Sequence, residues 1–419
     1  MPNQDLLSQS SLISVHLHNN HSVKPHSIER FSTILNAYIV VFKPETDQET
    51  ALTHYNEIEE IQQSDISHTN QNLDYGIIHK YEIGSFKGYS GKFSSSVIST
   101  IQTYEEVDYI EQDKHVQAAC IQNQAPWGLA RISHKEALTD NTFNKYLYNK
   151  HAGKHVTVYI MDSGIYEEHE DFGGRASFGV NFLKGSPDND TNGHGTHSAG
   201  IIGGKRYGVA KKAKLVSVKI LDENATGSVS NAIAGIDWIV KCHEFDIQKS
   251  LLKGNTYKGA VATLNFITTS TKALNKAVIE GIYGGVTIIV PAGNDGQSAC
   301  DYSPPSVTAA IKVGSSTYYD KKSLFSNNGN CVNIYAPGQS IISAGNSHKN
   351  SKRVLSGTSE AASHVAGLAA YFISMREGQN TPEYIKSKIM DIATPDVILE
   401  LDPYGRSTLK PIAFNGFKL

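Results

Sequence analysis

Gly357-Thr358-Ser359-Glu360-Ala361-Ala362-Ser363-His364-Val365-Ala366-Gly367 decides how the rest of the chain reads. A serine follows a turn of small residues and opens a run, continuing Leu368-Ala369-Ala370-Tyr371-Phe372, that is apolar enough for a buried helix. The helix start puts Ser359 where the first backbone N–H groups lack intrahelical partners and the dipole favours an oxyanion beside the hydroxyl. Serine alone is a weak nucleophile, so this reading demands a base and an orienting acid elsewhere.

Both lie upstream. Val156-Thr157-Val158-Tyr159-Ile160-Met161 reads as a buried parallel strand, and Asp162-Ser163-Gly164 follows at its C-terminal edge, where open α/β sheets carry functional groups. Asn192-Gly193-His194-Gly195-Thr196-His197 leads into Ser198-Ala199-Gly200-Ile201-Ile202, a second loop-to-helix junction. The chain order Asp162, His194, Ser359 is that of subtilisin and differs from chymotrypsin and the α/β-hydrolases. Ser359 also lacks the second glycine of the G-x-S-x-G elbow, which disfavours an esterase of the α/β-hydrolase type.

On these motifs the chain resembles the subtilisin-type serine proteases of the proteinase K branch and is most similar to the cerevisin group of fungal vacuolar proteases, from about Ala37 onward. The resemblance implies an α/β, doubly wound, mostly parallel sheet preceded by a small ferredoxin-like α+β propeptide domain. It also implies a triad of Asp162, His194 and Ser359. Val286-Thr287-Ile288-Ile289-Val290 reads as a buried strand, and Pro291-Ala292-Gly293-Asn294-Asp295-Gly296 follows it. Alone, Asn-Asp-Gly is a turn. Between the triad motifs, Asn294 matches the oxyanion asparagine of the family, since acyl transfer puts negative charge on a carbonyl oxygen that a side-chain amide can stabilise.

With 419 residues, 39% hydrophobic and 19% charged, the chain can bury a large core in more than one domain. A net charge of -3 gives no reason to invoke nucleic acid or an anionic membrane, and no apolar run is long enough to span a bilayer. A monomer acting on polypeptides, without a cofactor, is expected.

Residues 1–36, polar and rich in Ser, His and Asn, read as a disordered leader without the basic start and apolar core of a secretory signal. The resemblance nonetheless implies the secretory pathway, with a vacuolar or extracellular destination. Next come a strand at Ala37–Lys43, a helix over His54–Ile61, a strand pair within Tyr81–Gly91, a helix at Ser95–Thr103 and a strand at Val107–Glu111. That β-α-β-β-α-β order is ferredoxin-like and resembles the inhibitory propeptide of subtilisins, assigned to residues 37–119. Ala125-Pro126-Trp127-Gly128-Leu129-Ala130-Arg131-Ile132-Ser133 is similar to the mature start of the branch, which puts self-cleavage near Ala119 and Cys120 and the catalytic domain at residues 120–419. The tail Val116-Gln117-Ala118-Ala119 would then lie in the cleft as an added strand, making the propeptide an intramolecular inhibitor.

In the family, the strand and glycine loop at Ala213–Leu221 and Thr226-Gly227-Ser228 form one wall of the peptide channel, where Gly227 lets an extended substrate come close. The other wall is the strand Val261–Thr268. Here the usual Ser-Leu-Gly-Gly is Asn265-Phe266-Ile267-Thr268, both glycines being absent. A branched Ile267 should narrow the pocket for the residue before the scissile bond and favour small P1 side chains, in agreement with Ala119 at the self-cleavage point. Residues 241–259 read as a polar helix extension and loop at the surface. Ala310–Ser316 and Cys331–Ala336 read as further strands.

By resemblance Cys300 and Cys331 form a disulfide, while Cys120 and Cys242 have no obvious partners. Calcium is not carried over, because Thr317 stands where relatives have a ligand aspartate, and no metal is expected. His197 and His364 read as packing histidines. Two departures flank the nucleophile. The methionine of the family is Glu360, whose carboxylate would oppose a nearby oxyanion unless it points away or is protonated, and its helix proline is Ser363. These changes motivate a rival reading, a catalytically weak or inactive subtilisin-fold scaffold. The reading preferred here is a serine endopeptidase made as a self-cleaving zymogen.

Overall fold

A computed structural model of the chain describes residues 33–69, 75–114, 119–254, 256–376, 378, 380–401 and 407–417. It divides into two compact units, Met1–Gln117 and Ala118–Leu419.

The first unit runs β1 (Thr33–Phe42), α1 (Gln48–Thr69), β2 (Gly76–Ile83), β3 (Phe86–Lys92), α2 (Ser95–Ile101) and β4 (Val107–Lys114). Its antiparallel sheet has the order β2-β3-β1-β4, the arrangement expected for a split βαββαβ unit. Ser94 caps α2 by accepting from the Val97 N–H. The core gathers Val40, Phe42, Ile58, Tyr89, Phe93, Val97 and Ile101. His54 is buried among them, with Nδ1 2.6 Å from Glu106 Oε1 and Nε2 3.0 Å from the Tyr89 hydroxyl. The strand begins earlier than the sequence suggests. Residues 33–36 belong to β1, with Thr33 paired to Lys114, so the strand starts four residues before Ala37. Residues 1–32 and 116–118 of the expected leader and tail lie outside the described residues.

The second unit opens with β5 (Ala119–Asn123), α3 (Trp127–Ser133) and β6 (Lys145–Asn149), β5 pairing antiparallel with β6 so that Ala119 faces Asn149. Then follow β7 (Val156–Asp162), β8 (Ala176–Asn181), α4 (His194–Gly203), β9 (Lys214–Lys219), α5 (Val229–Lys253), β10 (Gly259–Leu264), β11 (Thr268–Thr269), α6 (Lys272–Tyr283), β12 (Thr287–Pro291), β13 (Tyr302–Ser303), β14 (Ile311–Ser316), β15 (Ile334–Pro337), β16 (Ile341–Ala344), β17 (Lys352–Leu355), α7 (Thr358–Met375), α8 (Pro382–Ile392), β18 (Thr394–Leu401) and β19 (Ser407–Ile412). The nine-stranded sheet has the order β18-β19-β15-β14-β12-β10-β7-β9-β8. Its pairs are parallel from β8 through β19, and only the edge hairpin β18–β19 is antiparallel.

Why the sheet is covered on both faces follows from its side-chain alternation. In β7, Val156, Val158 and Ile160 join one core with Ala199, Val365, Leu368 and Ile389 from α4, α7 and α8. Tyr159 and Met161 join the other with Ile236, Ile239, Leu274 and Val278 from α5 and α6. Each such fully buried branched side chain stabilises the fold by roughly 1.5–3 kcal/mol. The central helix α7 is buried from Thr358 through Ser374, which explains its run of small and apolar residues.

One strand expectation needs correction. The strand Val261–Thr268 ends at Leu264: the Phe266 N–H bonds the Leu264 carbonyl, and the chain leaves the sheet at Asn265. Thr268 and Thr269 instead pair antiparallel with Ser303 and Tyr302. The polar extension expected within residues 241–259 is the last part of α5. α5 continues to Lys253 and stops at Gly254, whose φ of 63° is the left-handed C-cap that glycine accepts without strain.

Candidate active site

Asp162 ends β7, all of whose residues are buried. Its Oδ1 accepts from the Ser163 N–H at 2.7 Å, and both carboxylate oxygens face His194 Nδ1, at 2.8 and 2.9 Å. Oδ2 accepts further from Asn265 Nδ2 at 3.1 Å and from the Ser198 hydroxyl at 3.3 Å. A buried carboxylate so surrounded is held in one orientation.

His194 is the first residue of α4, and its N-cap Gly193 has φ 96°, a backbone that excludes ordinary side chains. Asp190 ties this helix start to the Asp162 turn. Its Oδ1 accepts from the Ser163 hydroxyl at 2.8 Å and from the Asn192 and Gly193 N–H groups, and its Oδ2 accepts from the Thr196 N–H and hydroxyl. Buried Lys219 donates to the Ser163 carbonyl, bracing the same turn from β9. Desolvation opposes charge on His194, but the Asp162 carboxylate, with Glu360 and Asp190 behind it, outweighs that and pushes its pKa up to about 9.

Ser359 occupies the first turn of α7 and is 8% exposed. Its hydroxyl has no hydrogen-bond partner among the described residues, so the link to His194 is not made in this conformation. The two helix starts meet one residue later. Buried Glu360 places Oε1 3.4 Å from His197 Nδ1, and its Oε2 borders Gly357. Burial raises the pKa of Glu360, yet His197 contact and the charges of His194 and His197 outweigh it and hold the carboxyl below its usual value. The side chain is turned toward His197 at the start of α4, and the histidines around it favour its charged form. His364 is buried with Nδ1 2.9 Å from the Glu360 carbonyl, and burial drives its pKa down to about 4. That suits a neutral packing group.

Asn294 follows β12. Its Oδ1 accepts from the N–H and the hydroxyl of Thr358, both at 2.9 Å. Two donors on one oxygen assign the amide, so Nδ2 is the free donor on the Gly357 side, beside the serine turn.

The channel residues fall apart in role. Gly227 is exposed, and a side chain there would collide with the Ile220 carbonyl. Ile267 Cδ1 reaches 2.8 Å from where a Cβ on Gly293 would stand, so it spans the space between its own segment and the Asn294 loop. Phe266 is partly buried against the α5–α6 core. The side chain of Asn265, expected as a groove-wall group, is instead buried, donating to Asp162 and to Ser198 Oγ at 2.9 Å and accepting from the Thr263 hydroxyl at 2.6 Å. Neither this role nor that of Asp190 was anticipated; for Asn265 the signal was a polar residue at the end of an otherwise apolar strand, and Asp190 lies in the loop before α4. Cys300 and Cys331 form a disulfide, and Cys120 and Cys242 are free. Among the described residues no group of three or more His, Cys, Asp and Glu side chains could hold a metal, and no helix is long and apolar enough to cross a membrane.

Comparison with known proteins bears on the same arrangement. The subtilase family, Peptidase S8, matches residues 153–408, and the peptidase inhibitor I9 family matches residues 37–119. The subtilisin-like serine protease Pen c 2 of Penicillium citrinum is 36% identical over 98% of this chain and 94% of its own. Alkaline protease 2 of Aspergillus fumigatus is 38% identical over 91% of this chain and 81% of its own. Among solved structures, a cold adapted subtilisin-like serine proteinase superposes with a TM-score of 0.60 at 34% identity, covering 70% of this chain and 98% of its own. The chain belongs to the subtilase family of serine endopeptidases, with an inhibitor I9 propeptide ahead of its protease domain.

Proposed function

We propose that Asp162, His194 and Ser359 form the catalytic triad of a self-processing endopeptidase. The observation that carries this reading is the His194 Nδ1 contact with both Asp162 oxygens, which leaves Nε2 as the available base. His194 takes the Ser359 proton as the hydroxyl attacks the peptide carbonyl, and Asp162 stabilises the imidazolium. Asn294 Nδ2 and the N–H groups at the start of α7 receive the developing oxyanion. Proton return to the leaving amine gives the acyl-enzyme, and water repeats the steps to release it. Catalytic hydrogen bonds often tighten only with substrate bound, and that closure would supply the Ser359–His194 link.

Residues 37–119 act as the intramolecular inhibitor, residues 120–419 as the enzyme, and cleavage falls near Ala119. Substrates are polypeptides bound by backbone pairing past Gly227 and Ile267, with small P1 residues preferred because Ile267 fills the approach to Gly293. A monomer of the secretory pathway, vacuolar or extracellular, is the setting this reading implies. The rival, a weakly active scaffold, is favoured by one observation, the buried Glu360 side chain next to Ser359 in the first turn of α7. A fluorophosphonate probe on processed chain decides between them. Labelling that disappears in Ser359→Ala supports the enzyme, and absence of labelling supports the scaffold.

A further inference from the structure

The turn between β9 and α5 is rigid and carries a group the fold does not use. The Asp222 N–H bonds the Thr226 carbonyl at 2.9 Å, while Asp222 Oδ1 accepts from the N–H groups of Asn224 and Thr226, each at 2.9 Å. Ser228 then caps α5 by accepting from the Asn231 N–H. At the tip stand Asn224-Ala225-Thr226, all exposed. Asparagine is common in turns because its carboxamide bonds nearby backbone and because it tolerates left-handed φ. Neither reason applies here. The left-handed residue is Ala225, at φ 58°, and the Asn224 carboxamide makes no hydrogen bond among the described residues. Asparagine at 225 would ease the turn; at 224 it does nothing for it. What remains is the tripeptide itself, Asn-x-Ser/Thr with x not proline, the acceptor sequence for N-linked glycosylation.

We propose that Asn224 carries an N-linked glycan. The Cys300–Cys331 disulfide belongs to the same oxidising route on which such glycans are added. Space for the first sugars is present: a cleft of about 900 Å³ lies beside the turn, lined by Phe182, Leu183, Pro187, Asp222 and Glu223 among others. Apolar side chains with carboxylates at the rim suit a pyranose, which has an apolar face and a hydroxyl edge. The glycan stands three residues from Gly227 on a turn that cannot swing away. It therefore screens the channel against folded proteins more than against short peptides, a consequence that rests on the protease reading above.

The test uses the full chain, as encoded, expressed in a eukaryotic host, with Asn224 mapped by mass spectrometry after peptide N-glycosidase treatment and the oxidation state of Cys300 and Cys331 read in the same digest. The expected result is aspartate at 224 after enzyme treatment, retained in Thr226→Ser and absent in Thr226→Ala, which keeps the asparagine. The ratio of kcat/KM on a folded protein to that on a short peptide should rise severalfold in Thr226→Ala; an unchanged ratio removes the screening role. An oxidised disulfide with unmodified Asn224 overturns the glycan while leaving the secretory reading intact. Reduced cysteines with unmodified Asn224 overturn both.

Discussion

Asn265 donates to Asp162 across 103 positions of sequence, its Nδ2 3.1 Å from the carboxylate oxygen that also receives Ser198. Under the proposed triad, the Asn265 side chain is placed to orient the acid rather than to meet substrate. Removing a hydrogen bond to a buried charge costs roughly 1.5–3 kcal/mol, so Asn265→Ala should lower kcat by about 10- to 100-fold. Steady-state kinetics checks this through the split between parameters. A fall in kcat with KM nearly unchanged fits an orienting role, whereas a rise in KM alone returns Asn265 to the groove wall.

Glu360 should set the acid limb of the pH profile. A base whose pKa is raised to about 9 is protonated, and so inactive, below that value, and activity climbs as pH rises through it. Glu360 contributes to the rise in company with Asp162 and Asp190. Glu360→Gln should therefore move the acid limb of kcat/KM downward by roughly one unit. A pH series on a short peptide substrate decides; an unmoved limb means the charge does not reach His194.

Ile267→Gly should reopen the P1 approach. Pocket space of a few methylenes is worth roughly 1–3 kcal/mol, so kcat/KM for a P1 Phe relative to Ala should rise about tenfold or more. A P1-varied peptide library provides the measurement. A parent enzyme that already prefers Phe or Tyr would show that Ile267 does not fill the pocket.

The inhibitory unit should loosen in mild acid. Burial of His54 lowers its pKa despite the opposing Glu106 and Glu57 charges. A histidine whose folded pKa lies below its unfolded value near 6.5 contributes stability that is present above that value and is lost as pH falls toward the folded pKa. The hydrogen-exchange protection factors of β1, β3 and α1 in a Ser359→Ala zymogen, taken relative to the intrinsic exchange rate at each pH, should fall between pH 7.5 and 5, and His54→Gln should flatten that dependence.

Much of this was legible from local pattern. Asp162, His194, Ser359 and Asn294 each sit in a short motif at the end of an apolar strand or the start of a helix, and parallel sheets bring such ends to one edge. The polar contacts that hold them were not legible, because Asn265, Asp190 and Lys219 act through partners distant in sequence or through a fold-specific turn. The early end of β10 escaped for the same reason, since Ile267 and Thr268 are good strand formers and only the inward turn of Asn265 stops the ladder. The edge hairpin β18–β19 was missed because its exposed face blurs the periodicity.

The pairing of β5 with β6 bears on the direction of maturation. Ala119 lies opposite Asn149, whose N–H bonds the Tyr371 hydroxyl, twelve residues down α7 from Ser359 and so ~18 Å along the helix. With β5 paired in this way in the uncut chain, the Ala119–Cys120 bond does not lie at the serine. Under the proposed processing, β5 therefore unzips from β6 before the cut, and the new amine at Cys120, once paired again opposite Tyr148, stands away from any acyl-enzyme.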